Sequence, residues 1–199
     1  MAMEIERKFL IRHEGWRQQV SESVYYRQAY LNREADCSVR VRITDDQAWL
    51  NIKSVTVGAE RLEFEYDIPL SDAHEMLNQL SKTAVVEKRR HFVKQGSHTF
   101  EIDVFEGENA GLVVVEIELE HAEEAFDKPD WLGEEVTDDP RYYNTCLARH
   151  PYRQWTLPEP DSERSSFSSV RASATVNESL TSLSRAASAQ DENCQQPAS

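Results

Sequence analysis

A mainly β domain of eight antiparallel strands, packed as a sandwich or closed as a barrel and flanked by a few helices, is the fold class predicted for residues 1–152 of this 199-residue chain. Three observations predict it. Short segments of apolar and polar residues in strict alternation recur through this region, which is the period of a strand with two unlike faces. Only two segments carry helical spacing or a helix-start signal. No repeat of 20 to 50 residues is visible, which argues against propellers and solenoids. The length suits one domain with a proper core.

The elements follow in order. In "MEIERKFLI" (3–11), Glu4, Glu6 and Lys8 share one face of a strand, and Ile5, Arg7 and Phe9 share the other. "VYYRQAYL" (24–31) is the second strand. In "CSVRVRI" (37–43), Arg40 and Arg42 alternate with Val39, Val41 and Ile43, and "AWLNIKS" (48–54) follows, extending Lys53. "RLEFEYDI" (61–68) places Glu63 and Glu65 opposite Leu62, Phe64 and Tyr66. "SDAHEMLNQL" (71–80) comes after Pro69 and is the clearest helix, with Ser71 or Asp72 as N-cap and Ala73, Met76, Leu77 and Leu80 on one face. "VVEKRRHFV" (85–93) carries Lys88 and Arg90, and in "HTFEIDVFE" (98–106) Glu101 and Asp103 alternate with Phe100, Ile102 and Val104. The glycines of "FEGENAGL" mark a hairpin loop. "LVVVEIELE" (112–120) then sets Glu116, Glu118 and Glu120 against Val115, Ile117 and Leu119. A second helix is expected in "DDPRYYNTCLARH", with Pro140 at an early helical position. Residues 153–199 are dominated by Ser, Ala and polar residues and are expected to form a disordered tail. With four Lys and Arg against six Asp and Glu, that tail conceals no basic domain.

The totals exclude several functions. A formal net charge of −14 argues against nucleic-acid or anionic-membrane partners, which require clustered surface Lys and Arg. The N-terminus is charged within a few residues, and no apolar run is long enough to span a bilayer, so neither a signal peptide nor a membrane helix is expected. Cys37, Cys146 and Cys194 are odd in number and lack a CxxC spacing, and they read as free thiols of a cytoplasmic protein. The six histidines show no metal-ligand spacing. There is no GxxxxGK[ST] loop, GxSxG elbow or HExxH helix. Trp131 and Trp155 read as packing residues. No protein partner is evident.

The charges inside the strands carry the functional signal. A surface strand gains nothing from like charges about 7 Å apart along one face. An antiparallel sheet with its charged face in water explains any single strand. Across six strands, however, each pair has one sign, and the repulsion within it must be offset by neighbouring strands or bound ions. If the sheet closes with this face inward, about six cations and nine carboxylates line one channel. Clustered Lys and Arg suit a polyanion with many oxygens, and clustered carboxylates suit hard divalent cations. Together they describe a metal-bound polyphosphate, with Mg2+ the first choice and Mn2+ able to use the same oxygen ligands.

"EIERK" resembles the ExExK signature of the CYTH superfamily, the triphosphate tunnel metalloenzymes. The similarity continues in order through "VRVR", "IKS", "RLEFEYDI", "VEKRRHF", "FEIDVFEGENAGLVVVEIEL" and "WLGEEVTDDPRYYN". The compact length and "WLGEEVTDD" resemble the small bacterial members that hydrolyse inorganic triphosphate. This resemblance implies an eight-stranded antiparallel closed barrel. It implies Glu4, Glu6, Glu116 and Glu118 as metal ligands with Asp103 near the metals, and Lys8, Arg40, Arg42, Lys53, Lys88 and Arg90 as phosphate ligands. Glu63 and Glu65 match family positions on the tunnel wall, and Glu101 and Glu120 are further wall candidates. Many relatives have Lys where this chain has Tyr143, which leaves Arg141 as the nearby phosphate contact. Phosphoryl transfer needs positioning and charge neutralisation more than covalent help. Glu6 would then help to hold the attacking water's metal, and Lys53 or Lys88 would move a proton. The same site could act on nucleoside or thiamine triphosphate, or as a class IV adenylyl cyclase. A non-enzymatic polyphosphate-binding module would dispense with the carboxylates that are present here.

Overall fold

The computed structural model of the chain describes residues 2–32, 37–54 and 60–155. The expected tail lies outside these residues from 156 onward. Nine strands form one sheet: β1 (Ala2–Ile11), β2 (Val20–Tyr30), β3 (Cys37–Ile43), β4 (Ala48–Ser54), β5 (Glu60–Asp67), β6 (Val86–Gln95), β7 (His98–Phe105), β8 (Val113–Glu118) and β9 (Leu132–Glu135). The order is β5-β4-β3-β2-β6-β7-β8-β1-β9, and every pairing is antiparallel. The mainly β expectation holds, and each of the eight expected segments forms a strand.

The expectation of an eight-stranded closed barrel needs two corrections. The sheet has a ninth strand, β9, laid on the end of β1 with a register shift between Phe9 and Ile11. The sheet also does not close into a barrel: its other edge strand, β5, meets β1 only along a short seam, from Ala2↔Glu63 to Ile5↔Glu60. The reason is that β1 serves three neighbours in succession. Its first residues pair with β5, Glu6 to Leu10 pair with β8, and Phe9 to Ile11 pair with β9.

Alternation places the charged residues on one face of the sheet and most of the apolar core on the other. Phe9, Phe100, Ile102, Val115 and Ile117 form one core cluster, capped by Trp16 from a 3-10 turn (Glu14–Gln19) and by Trp131. Trp131 stacks edge-on to Phe100 at 5.3 Å, the packing role expected for it. A second cluster joins Ala29, Val41, Ile43 and Ala48 to Ala73 and Leu77 of α1 (Leu70–Gln79). This helix starts earlier than expected. Pro69 is its N-cap residue, no side chain caps it, and Leu80 is exposed rather than on the buried face. The third cluster seats α2 (Asn144–Leu147) against Tyr30, Val86, Phe105 and Val114. The expected second helix is split here into a 3-10 turn (Pro140–Tyr142) and α2, with Pro140 at its early position. Trp155 stacks on Tyr142 and Tyr152, continuing this cluster past residue 152.

β6 and β7 meet in a tight hairpin whose Gly96 has φ of 61°, a value that favours glycine. Cys37 is a free thiol as expected, whereas Cys146 is disulfide-bonded, which corrects the expectation for that residue. Spacing along the chain does not say which thiols meet in space. No helix among the described residues is long and apolar enough to cross a membrane.

Candidate active site

The register of the strands turns the charge pattern into a site. Glu6 of β1 stands opposite Glu118 of β8, Lys8 opposite Glu116, and Glu116 in turn opposite Glu101 of β7. Arg90 of β6 faces Asp103. On the far side, Arg40 and Arg42 of β3 lie next to β4, whose Asn51 and Lys53 face Glu65 and Glu63 of β5. Cationic strands lie beside acidic ones at the β4–β5 and β6–β7 pairings, where repulsion within each like-charged pair is offset from the side, whereas carboxylate faces carboxylate at Glu6–Glu118 and Glu101–Glu116.

The offsets are made by direct contacts. Lys8 pairs with both Glu6 and Glu116. Arg90 forms a fork on Asp103, with Nε to Oδ1 and Nη2 to Oδ2 both at 2.7 Å, and it also meets Glu101 and Glu116. Lys88 pairs with Asp103. Across the cavity, Arg42 donates to Glu65 at 2.6 Å and Lys53 lies 2.9 Å from Glu63. Asn51 donates to both Glu63 and Glu65, at 3.1 and 2.5 Å.

These residues enclose a cavity of about 510 Å³. Glu6, Lys8, Arg40, Arg42, Lys53, Glu63, Glu65, Lys88, Arg90, Glu101, Glu116 and Glu118 all line it, so most of the expected set is brought together. Asp103 does not line it. Fully buried, it sits behind the wall and holds Lys88 and Arg90 in place. Glu120 lies instead in a neighbouring groove with His98 and Glu124. Arg141 is also elsewhere, tied to Asp139 at 2.6 Å and laid over the Trp155 ring. The side chain of Glu4 lies outside the described residues.

Burial sharpens the electrostatics. Burial alone would raise the Glu116 carboxyl, but Lys8, Arg90 and Lys88 hold it well below the usual carboxylate range. Burial and then Arg90 pull Lys88 down to about 8. Glu101 goes the other way, raised to about 7 by burial and by Glu116, Asp103 and Glu118, against the opposing pull of Arg90. Burial and the adjacent Arg40 lower the Arg42 guanidinium. Arg40 is the exception among the cations. It is buried at 8 % exposure, it makes no ion pair among the described residues, and its Nε lacks a hydrogen-bond partner. A buried guanidinium in that condition is costly unless an anion completes it.

Neutral residues that the charge pattern did not single out complete the lining: Tyr26, Tyr30 and Ser38, with Asn144 and Thr145 of α2. Tyr143 lines it as well, its hydroxyl donating to the Thr137 carbonyl at 2.7 Å and its ring 5.9 Å from Lys8 Nζ. Alternation in "VYYRQAYL" places Tyr26, Gln28 and Tyr30 on one face, but strand tyrosines read as packing and carry no charge to flag them. Among the described residues, no group of three or more His, Cys, Asp or Glu is gathered as a metal cluster, since Glu6 and Glu116 turn toward Lys8.

The CYTH domain model matches residues 2–143. The chain is 43% identical over 155 residues to an inorganic triphosphatase of Acetivibrio thermocellus, covering 78% of this chain and 99% of that protein. It is 38% identical over 149 residues to an inorganic triphosphatase of Nitrosomonas europaea, covering 73% and 96%. Among solved structures, an inorganic triphosphatase matches with a TM-score of 0.54 at 33% identity, over 74% of this chain and 95% of that one.

Proposed function

This chain belongs to the CYTH domain family, and we propose that its cavity hydrolyses inorganic triphosphate to pyrophosphate and phosphate, with Mg2+ or Mn2+ as cofactor. The observation that carries the reading is Arg40, a buried cavity cation with no carboxylate partner among the described residues. It sits among five further cations, Lys8, Arg42, Lys53, Lys88 and Arg90, spread over β1, β3, β4 and β6. A chain of three phosphates offers enough oxygens to meet several of them at once. Asn144 and Thr145 of α2 complete the lining beside these cations.

The residues present fit a hard divalent cation. Glu6, Glu101, Glu116 and Glu118 present only carboxylate oxygens, from adjacent strands on one side of the cavity. Glu6, Glu116 and Glu118, with Glu4, would hold the metal. When bound it supplies charge neutralisation at phosphate oxygens and lowers the pKa of water.

The chain's own residues do the rest. Arg40, Arg42, Lys53 and Arg90 grip non-bridging oxygens and hold the terminal phosphorus in line for attack. Asp103 fixes the Arg90 fork and Lys88 from behind. Water attacks the terminal phosphorus, the bond to the bridging oxygen breaks, and pyrophosphate departs. Lys88, drawn to about 8 by burial and the neighbouring Arg90, is the lysine suited to take the water's proton.

Phosphate release from inorganic triphosphate tests this reading directly. Turnover is expected with Mg2+ or Mn2+, is abolished by chelator, and falls by at least about 100-fold in Glu6→Gln. Cyclic AMP and pyrophosphate formed from ATP without triphosphate turnover would point to a cyclase instead.

A further inference from the structure

The neutral part of the wall carries its own information. β2 runs between the cationic strands β3 and β6, and places Tyr26 directly opposite Lys88. The Tyr26 ring lies between two guanidiniums, 5.3 Å from that of Arg42 and 5.9 Å from that of Arg90. Both arginines also meet carboxylates, Arg42 with Glu65 and Arg90 with Asp103, Glu101 and Glu116. Tyr26 lines the cavity, yet its hydroxyl makes no hydrogen bond among the described residues. Tyr143, another lining tyrosine, spends its hydroxyl on a backbone carbonyl. Burial raises the Tyr26 phenol above its ordinary value, so it keeps its proton as a donor.

We propose that Tyr26 is a substrate-binding residue of the reaction proposed above, its hydroxyl donating to a non-bridging oxygen of the triphosphate between Arg42 and Arg90 and its ring setting the separation of those two guanidiniums. A ring in this position performs two tasks that another cation could not. Its face attracts both guanidiniums, which otherwise repel each other across the cavity. Its hydroxyl adds a donor without adding to the repulsion among Arg40, Arg42, Lys88 and Arg90. The contact exists in the ground state as well as in the transition state, so it belongs to KM more than to kcat.

The test compares Tyr26→Phe and Tyr26→Leu with the wild type in triphosphate turnover, calorimetric binding of inorganic triphosphate, and thermal unfolding without ligand. In the Phe variant KM and Kd are expected to rise about tenfold, the size of one hydrogen bond to a charged group, with kcat within about twofold. Its unfolding temperature is expected to stay unchanged, because the hydroxyl has no partner to lose among the described residues. The Leu variant also loses the ring and is expected to weaken binding further. Wild-type KM and Kd in Tyr26→Phe overturn the proposal, as does an unfolding temperature that falls in step with affinity. A wild-type protein inert toward triphosphate removes the underlying functional reading as well, whereas wild-type turnover with an unaltered Phe variant removes only the role of Tyr26.

Discussion

Glu101 shows how a single residue reports the state of the whole cavity. Its carboxyl is raised from 4.5 to about 7 by burial and by three neighbouring carboxylates, so the folded chain binds this proton more tightly than the unfolded one. Stability from this group is fully present below the ordinary carboxylate range and is lost as pH rises through about 7. Without divalent cation, melting temperature is therefore expected to fall between pH 5 and 8, and Glu101→Gln to flatten that fall. A variant with the same pH slope as the wild type assigns the slope elsewhere. Most of the charged lining was legible in the sequence, because a period of two sorted Arg40, Arg42, Glu63, Glu65, Lys88, Arg90, Glu101 and Glu116 onto one face. Alternation could not say which of them reach the cavity. Asp103 shares the face of Glu101 but lies behind the wall, and Glu120 continues the face of Glu118 into a different groove. Arg141 was expected near phosphate on proximity in sequence, and Asp139, two residues away, holds it elsewhere.

Among the elements, β9 was the one the sequence concealed. Four residues, Leu132–Glu135, are too few to display a period. Its docking depends on Gly133, where a Cβ would stand 2.8 Å from the Leu10 carbonyl oxygen. The same stretch ties the end of β1, through Val136 N–H to the Lys8 carbonyl at 2.8 Å and the Lys8 N–H to Thr137 Oγ1 at 3.0 Å. Gly133→Ala is thus expected to push β9 off β1 and destabilise the fold by about 1–3 kcal/mol. Thermal unfolding measures this, and a variant melting at the wild-type temperature would mean that β9 does not brace β1. The helices were legible to within a few residues, since Pro69 and Pro140 mark their starts. The splitting of the second helix was not, because Tyr143 adopts an extended backbone set by its place in the cavity wall.

At the scale of the whole molecule, a chain with a net charge of −14 keeps a concentrated patch of cations on the inside. The sheet makes this possible by reversing the usual order, with the apolar core on the outer face under α1 and the Trp16 and Trp131 segments, and the polar face turned inward. This inversion was readable from six strands taken together and from none alone. The short β5–β1 seam was not, because the pairing of two distant strands leaves no local pattern. The central claim is that phosphate contacts distributed around the cavity select a chain of three phosphates. The most direct measurement is kcat/KM for inorganic triphosphate, ATP and pyrophosphate at fixed free Mg2+, in the wild type and in Arg40→Ala. The account predicts triphosphate well above ATP, pyrophosphate slow or inert, and at least about a tenfold loss for triphosphate in Arg40→Ala, the buried cation with no carboxylate partner among the described residues. Equal values for triphosphate and ATP, or an Arg40→Ala variant that turns over triphosphate at the wild-type rate, would contradict it.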